Sequence, residues 1–407
     1  MSDLIHDVII VGGGLVGASL ACALSGHGLR LAGIEAATFK RRSKSTYDDR
    51  SLSLAWGSRQ IFETLGIWQR LGDAPEPIHR IEISQRGRFG RARLDRSDHG
   101  VDALGYVVEA RILGAAVLDQ VESLDDLEMF CPASMEELTV GDDAAEVSVI
   151  EGDQTRVLRG RVVVGADGAG SRVRERLGIG ARTLDYAQSA VIANVTPEKP
   201  HNNCAYERFT DSGPMALLPQ PHGRCGVVWT VRKDGMDDIL ALSDEQFLEQ
   251  LQRRFGYALG RFERAGRRSA FPLKLVVSNE NVRPRAVIIG NAAHNLHPVA
   301  GQGFNLGLRD VAVLAEVIVE AHRLGEDPGA LDVLKRYGRW RRRDQRGSTL
   351  LTDGLVRVFS NDFTPLAAAR AAALVGLDLI PGARRAVTRR TMGIAGKLPR
   401  LARGVPL

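Results

Sequence analysis

The sequence predicts an α/β fold in three parts: a first domain of alternating strands and helices, a β-rich second domain, and a helical C-terminal tail. Three observations predict it. The apolar run Val8-Ile9-Ile10-Val11 leads straight into Gly12-Gly13-Gly14-Leu15-Val16-Gly17 and an Ala- and Leu-rich stretch, which reads as strand, tight turn, helix. Residues 183–280 read as successive short strands with one helix among them. From 331 onward the pattern is helical and strongly basic.

In the first of these stretches Gly12 permits the tight turn, Gly14 lets a pyrophosphate approach the backbone, and Gly17 lets the helix lie close on its strand. A second apolar strand, 29–34, ends at Glu35, where an acid is placed to accept hydrogen bonds from the ribose of a dinucleotide. Strand, glycine turn, helix, strand and acid together make a Rossmann-like dinucleotide-binding unit, which does not by itself separate FAD from NAD.

At 407 residues and 44% hydrophobic content the chain has enough apolar surface for a large core divided among two or three domains. Its four cysteines, Cys22, Cys131, Cys204 and Cys225, lie far apart without CxxC spacing, so neither a disulfide framework nor a zinc site is expected, and a reducing, cytoplasmic setting fits. Met1 to Ile5 enter the first strand directly, which predicts no export signal. No apolar stretch reaches membrane-spanning length, so any membrane is met at its surface. Charge is uneven: residues 335–407 hold 16 Lys and Arg against 4 Asp and Glu, a net +12, so that residues 1–334 carry −7 of the total +5. The tail has no nucleic-acid module and no interleaved stacking aromatics, and nucleic acid is not expected as a partner.

Further along, Lys40 to Lys44 read as a polar loop, and Arg50 opens a segment whose Ile61, Leu65 and Trp68 recur at helical spacing. Arg50 is a candidate to reach a phosphate or to make a structural ion pair. Residues 78–108 alternate as antiparallel strands, and Arg111 begins a helix with Leu113, Val117, Leu118 and Val121 on one face, its guanidinium a candidate for the cofactor groove. Strands are expected at 135–140, 145–150 and 156–159, then at Val162-Val163-Val164, which breaks at Ala166-Asp167-Gly168 into a helix over 172–177. Asp167 either accepts from cofactor hydroxyls, with Gly168 letting the chain pass close, or makes an Asx turn. A strand at 287–289 ends in Gly290-Asn291-Ala292-Ala293-His294, and a glycine-punctuated stretch through Gly301-Gln302-Gly303-Phe304-Asn305 feeds a long helix from Leu306 to about Leu324. Such a loop suits an anion or a polar ring edge. His294 and His297 lack a third ligand at workable spacing, so no metal is expected. Hydrolase and kinase motifs are absent from the sequence.

Gly12 to Gly17 with Glu35, Ala166-Asp167-Gly168, and Gly290 to His294 through Gly301 to Asn305 together resemble, in order and spacing, the three motifs of the single-component FAD aromatic hydroxylases. Within that class the chain resembles the ubiquinone-biosynthesis branch through Asp49-Arg50, Leu65 to Trp68, Glu207-Arg208-Phe209-Thr210 with Gly213-Pro214, and Leu217-Leu218-Pro219. Asn291, where the broader class has Asp, and the run from His297 to Asn305 resemble the 2-polyprenyl-6-methoxyphenol hydroxylases in particular. The resemblance implies FAD as cofactor, NAD(P)H as reductant, and O2 and a polyprenylated phenol as substrates. It implies Pro298 and the Gly301, Gly303, Phe304, Asn305 loop beside the flavin ring, with Arg50, Arg111, Asp167 and Asn291 along the rest of FAD. His297 is the one titratable group near that loop and the catalytic candidate. The amide of Asn291 is expected to bond ribityl or phosphate oxygens.

The expected domains are FAD-binding at 1–71, 107–181 and 284–330, substrate-binding at 72–106 and 182–283, and a helical basic region at 331–407. Another flavoenzyme on the same scaffold, an oxidase or reductase, and a non-catalytic flavoprotein subunit acting with other ubiquinone-biosynthesis proteins remain as alternatives. The Ala- and Leu-rich segment 365–380, with the arginines that follow it, is expected either to dock on an anionic lipid surface on the inner face of the membrane or to pack on the FAD domain.

Overall fold

A computed structural model describes residues 5–38, 50–295, 301–359 and 364–407. His297 and Pro298, the basic run 40–44 and Asp49 lie outside the described residues. The helices among them are α1 (Leu15–Leu24), α2 (Trp56–Thr64), α3 (Ala110–Val121), α4 (Arg172–Arg176), α5 (Met236–Ala241), α6 (Asp244–Phe255), α7 (Gln302–Arg323), α8 (Leu331–Phe359), α9 (Thr364–Leu379) and α10 (Pro381–Thr391).

The first strand, Ile5–Val11, lies between Gln154–Gly165 and Leu31–Ile34, parallel to both, at the centre of an eight-stranded sheet. Because side chains alternate across a strand, Val8 and Ile10 face one side with Val162, Val164 and Val287, and Ile9 and Val11 face the other with Val163 and Ile288. The first side is covered by α1, α3 and α7, through Leu20, Leu24, Leu113, Val311, Leu314 and Ile318. A strand with both faces buried reads as a continuous apolar run, which is what Val8 to Val11 are. The runs expected at 156–159 and 162–164 are one strand, since Gln154–Gly165 pairs antiparallel with Ala145–Glu151 along its first half and parallel with Ile5–Val11 along its second.

The β-rich block forms a nine-stranded sheet in which Ala181–Pro197 pairs with Ser269–Ser278 and Cys225–Arg232, followed by Gly213–Pro219, Cys204–Thr210, Arg80–Gln85 and Arg91–Asp95. One face carries Val191, Met215, Leu217, Val227 and Trp229 against Phe247, Leu251 and Phe255 of α6. The opposite face looks toward the first domain: Gln220, just past strand Gly213–Pro219, donates to Ser51 Oγ at 2.8 Å. Strands Ser51–Ala55, Gly105–Glu109 and Glu76–Ile78 form a third, small sheet. Thus Glu76–Ile78 pairs with residues before α3 and not with the large sheet, although it falls in the stretch 72–106.

The tail does not stand off the molecule. Leu401, Ala402 and Met392 are buried, Gly57 N donates to the Met392 carbonyl at 2.8 Å, and Trp340 Nε1 donates to the Lys397 carbonyl at 3.1 Å. Of the tail cations expected to meet lipid, Arg384 is paired with Asp98 at 3.0 Å, Lys397 lies 3.8 Å from the centre of the Trp340 ring, and Arg400 Nε donates to the Pro406 carbonyl at 2.8 Å. Residues 392–407 are therefore packed structure, the packing alternative, for that part of the tail. No helix among the described residues is long and apolar enough to cross a membrane.

Candidate functional site: a flavin cleft and an apolar sheet face

The glycine loop needs glycine for two different reasons. Gly12 has φ +105° and a Cβ there would lie 2.6 Å from the Ala166 carbonyl oxygen, while a Cβ on Gly17 would lie 1.9 Å from the Gly12 oxygen. Gly14, the N-cap of α1, has open space before it, and its helix N-terminus has no side-chain cap. The first amides of α1 are thus presented to an open cleft of about 440 Å³ lined by Gly12, Gly13, Gly14, Glu35 and Arg111. Glu35 is fixed at the cleft edge, accepting from Gly13 N at 2.6 Å and Ala37 N at 2.8 Å. Arg111, on the first turn of α3, is held by Glu109 at 3.2 Å, and Glu109 also receives Arg224 at 3.3 Å. The donors and the acid fit an anionic, ribose-bearing cofactor.

The remaining motifs converge on the same helix end. Gly290, φ +58°, and Gly307 each sit so that a Cβ would come within 3.1 Å of Val16, and Ala166 lies against Gly12. Gly301 is the left-handed N-cap of α7, and a Cβ on it would lie 3.0 Å from Ser53. Helix α7 begins at Gln302, a turn earlier than Leu306, because Asn305 locks that turn. Asn305 is buried and bonds on every side: Oδ1 accepts from Ala55 N at 2.8 Å and Ser58 Oγ at 2.7 Å, and Nδ2 donates to the Ser53 and Gly301 carbonyls at 2.9 and 2.7 Å. Its amide is spent on the protein: Asn305 shapes the loop. Gly303 faces open space, and the Phe304 ring packs 6.2 Å from Phe62.

Other expected residues take different places. Asp167 accepts from Ser171 Oγ at 2.6 Å and Val173 N at 3.1 Å, so its carboxylate caps α4, the turn role, while Gly168, φ +85°, opens toward free space. Asn291 is exposed at the tip of the turn Gly290–Ala292. Arg50 lies outside the cleft lining: its guanidinium sits 5.6 Å from the centre of the Phe271 ring on the large sheet, and its carbonyl accepts from Ala110 N at 2.7 Å beside Arg111.

Beneath the Gly290 turn lies a group that the sequence reading did not single out. Asp310, completely buried on α7, accepts from Gly290 N at 3.1 Å, bonds His294 Nε2 at 2.5 Å, and receives Arg341 Nε at 2.7 Å and Gln345 Nε2 at 3.0 Å from α8. Burial alone would push this carboxyl up, but His294 and Arg341 outweigh it and hold it well below the usual carboxylate range. His294 is thereby engaged with a carboxylate, and no cluster of three metal-ligating side chains occurs among the described residues. The signal was present as Arg309-Asp310, a charged pair inside an apolar helical run.

Residues 6–346 match the model of the FAD binding domain family. The chain is 40% identical to the ubiquinone hydroxylase UbiL of Rhodospirillum rubrum over all of this chain and 94% of that protein. It belongs to the FAD-dependent ubiquinone-biosynthesis hydroxylases. It is also 31% identical to the 3-demethoxyubiquinol 3-hydroxylase of Escherichia coli, over 97% of this chain and 100% of that one. The hydroxylase shares its fold with the p-nitrophenol 4-monooxygenase PnpA of Pseudomonas putida, at 19% identity and a TM-score of 0.77 over 97% and 99% of the two chains.

In the hydroxylase the face of the large sheet that looks toward the flavin domain is apolar and partly open. Directly paired residues Ile192, Val228, Ala216, Glu207 and Ile83 run in one row across five strands. All five are half-buried, whereas Val191, Trp229, Met215 and Leu217 on the other face are sealed. Burial pushes the Glu207 carboxyl up to about 8.

Proposed function

We propose that this chain uses NAD(P)H and O2 to hydroxylate the aromatic ring of a polyprenylated methoxyphenol; of this, hydroxylation is what its relatives' names carry. One observation bears the proposal: the first glycine motif touches the second where Gly12 meets Ala166 and the third where Val16 meets Gly290 and Gly307, so that the N-termini of α1 and α7 address one extended cofactor, with an apolar sheet face beyond it. Gly12, Gly14 and the α1 amides hold the pyrophosphate, Glu35 the adenosine ribose, Arg111 the cleft wall, and Gly301 to Gly303 the ring edge. Bound FAD supplies the chemistry that reduces O2, placing one oxygen atom on the ring and releasing the other as water. The chain's own part is to hold the phenol and keep water away, for which the row from Ile192 to Ile83 is suited.

The substrate's prenyl chain resides in a bilayer, and the exposed apolar tip formed by Phe89, 90% exposed, with Leu379 and Ile380 is the surface we assign to it. Gly90 packs on the Ala371 carbonyl and Arg93 N donates to Asp378 at 3.0 Å, so hairpin and helix end form one prominence. Arg88 and Arg91 flank it on the hairpin and have no carboxylate partner among the described residues, a match to anionic headgroups.

The test is turnover with a short-chain prenylated methoxyphenol: product gains one oxygen-18 from labelled O2, and NAD(P)H is consumed with it. Reduction of the ring, or NAD(P)H oxidation that yields no hydroxylated phenol with any such ring, overturns the proposal.

A further inference from the structure

Glu207 is the one acid in the apolar row, and its surroundings leave it without protein duties. Its neighbours on the strand Cys204–Thr210 point the other way: Tyr206 meets Phe255 edge to face at 5.4 Å, and Arg208 donates to the Phe255 carbonyl. Across the ladder it faces Ala216 on one side and Ile83 on the other. The charges on strand Arg80–Gln85 are engaged elsewhere, Arg80 with Asp95 at 3.1 Å and Glu82 with Arg93 at 3.5 Å, and Arg86 beyond it with Asp211 at 3.6 Å. Among the described residues Glu207 has no hydrogen bond and no ion pair. A carboxyl in an apolar wall without a partner opposes folding, and a group kept at that cost has its partner in a ligand.

Resting on the hydroxylase function proposed above, we propose that Glu207 is the polar contact for the ring oxygens of the phenolic substrate, and that it sets which ring carbon faces the cofactor. The rest of the row offers the ring only apolar surface, so a single hydrogen-bonding group fixes rotation about the prenyl axis. Near neutrality the carboxyl is largely protonated, so it donates to a methoxy or phenol oxygen and accepts from a ring hydroxyl.

The experiment is a cycle of protein against ligand, read as binding to the FAD-loaded protein by change in flavin absorbance. The ligands are a methoxyphenol carrying one isoprene unit and the same ring with hydrogen in place of the hydroxyl. The parent is expected to lose about tenfold in affinity when the hydroxyl is removed. Glu207→Leu is expected to bind both ligands alike, and Glu207→Gln, which keeps an acceptor and a donor, to restore part of the discrimination and the parent's product position. FAD content and melting temperature of each variant confirm that it is folded. Equal discrimination in the parent and Glu207→Leu, or an unchanged product position in that variant, overturns the proposal while leaving the hydroxylase function standing. Failure of the parent to hydroxylate any phenol defeats the function itself.

Discussion

The buried Asp310 and the half-buried Glu207 titrate in opposite directions, and the sign follows from the partners that one has and the other lacks. Asp310 is held below the ordinary range by His294 and Arg341 against the opposing effect of burial, so its stabilisation is fully present above the unfolded value near pH 4 and is lost as pH falls below it toward the folded value. Asp310→Ala leaves Arg341 and His294 buried without their carboxylate and should cost about 3 to 5 kcal/mol in urea unfolding at pH 7. Glu207, raised to about 8, behaves oppositely: the fold favours its neutral form, so it costs stability progressively as pH rises from about 4 to 8. Glu207→Gln should therefore unfold at higher temperature than the parent at pH 8, by about 1 to 3 kcal/mol given that the side chain keeps some contact with water, and the difference should vanish at pH 4. A melting difference independent of pH would contradict this. Gly12 and Gly17 were legible because their duties are local to one turn. Asp310 was legible only as an anomaly, since Arg341 and Gln345 reach it from a helix more than thirty residues away.

At the scale of elements, pattern reading worked where a segment's own periodicity decides its state. Helix α6 spans Asp244 to Phe255 as expected, because Ser243 and Gln246 close a capping box at one end and Gly256, φ +87°, follows the other. The strand Ser51–Ala55 was not foreseen, because its state is settled by pairing with Gly105–Glu109, nearly sixty residues away. The start of α7 was misplaced by a turn for the same kind of reason: Asn305 joins it to Ser53, Ala55 and Ser58, and those contacts are invisible along the chain. Asn305→Ala strands these buried groups and should cost about 2 to 4 kcal/mol in thermal unfolding of the FAD-free protein. It should also weaken FAD retention by loosening the loop, although the amide's hydrogen bonds are to protein groups. Gly17→Ala acts differently: the new Cβ collides with the Gly12 oxygen, so the α1 N-terminus moves off the strand and FAD is lost on gel filtration.

For the whole molecule, the issue is which surface meets the bilayer where a prenylated substrate resides. The segment 365–380 with the arginines after it is expected either to dock on lipid or to pack, but residues 392–407 close over α2 and α7, and a truncation there removes Leu401 and Met392 from the core. Such a truncated protein should melt lower, so its loss of lipid binding would carry no information. The tip of Phe89, Leu379 and Ile380 gives a cleaner test because substitution there disturbs no buried contact. The full-length protein should float with vesicles of phosphatidylcholine and phosphatidylglycerol and float less with phosphatidylcholine alone. Raising salt from 0.1 to 0.5 M should weaken the association, since exposed charges are screened within about 10 Å or less at those ionic strengths. Reversing Arg88 and Arg91 to Glu should reduce the affinity for these vesicles at least about tenfold, at roughly 1 kcal/mol per basic residue near the surface. In a Phe89→Trp variant the added indole should be quenched by brominated lipid above the background of the native tryptophans. If that variant floats while its added indole is not quenched, another face meets the membrane. If none of the protein floats, substrate is handed over by a partner, and hydroxylation of the soluble short-chain phenol should continue unaffected by either result.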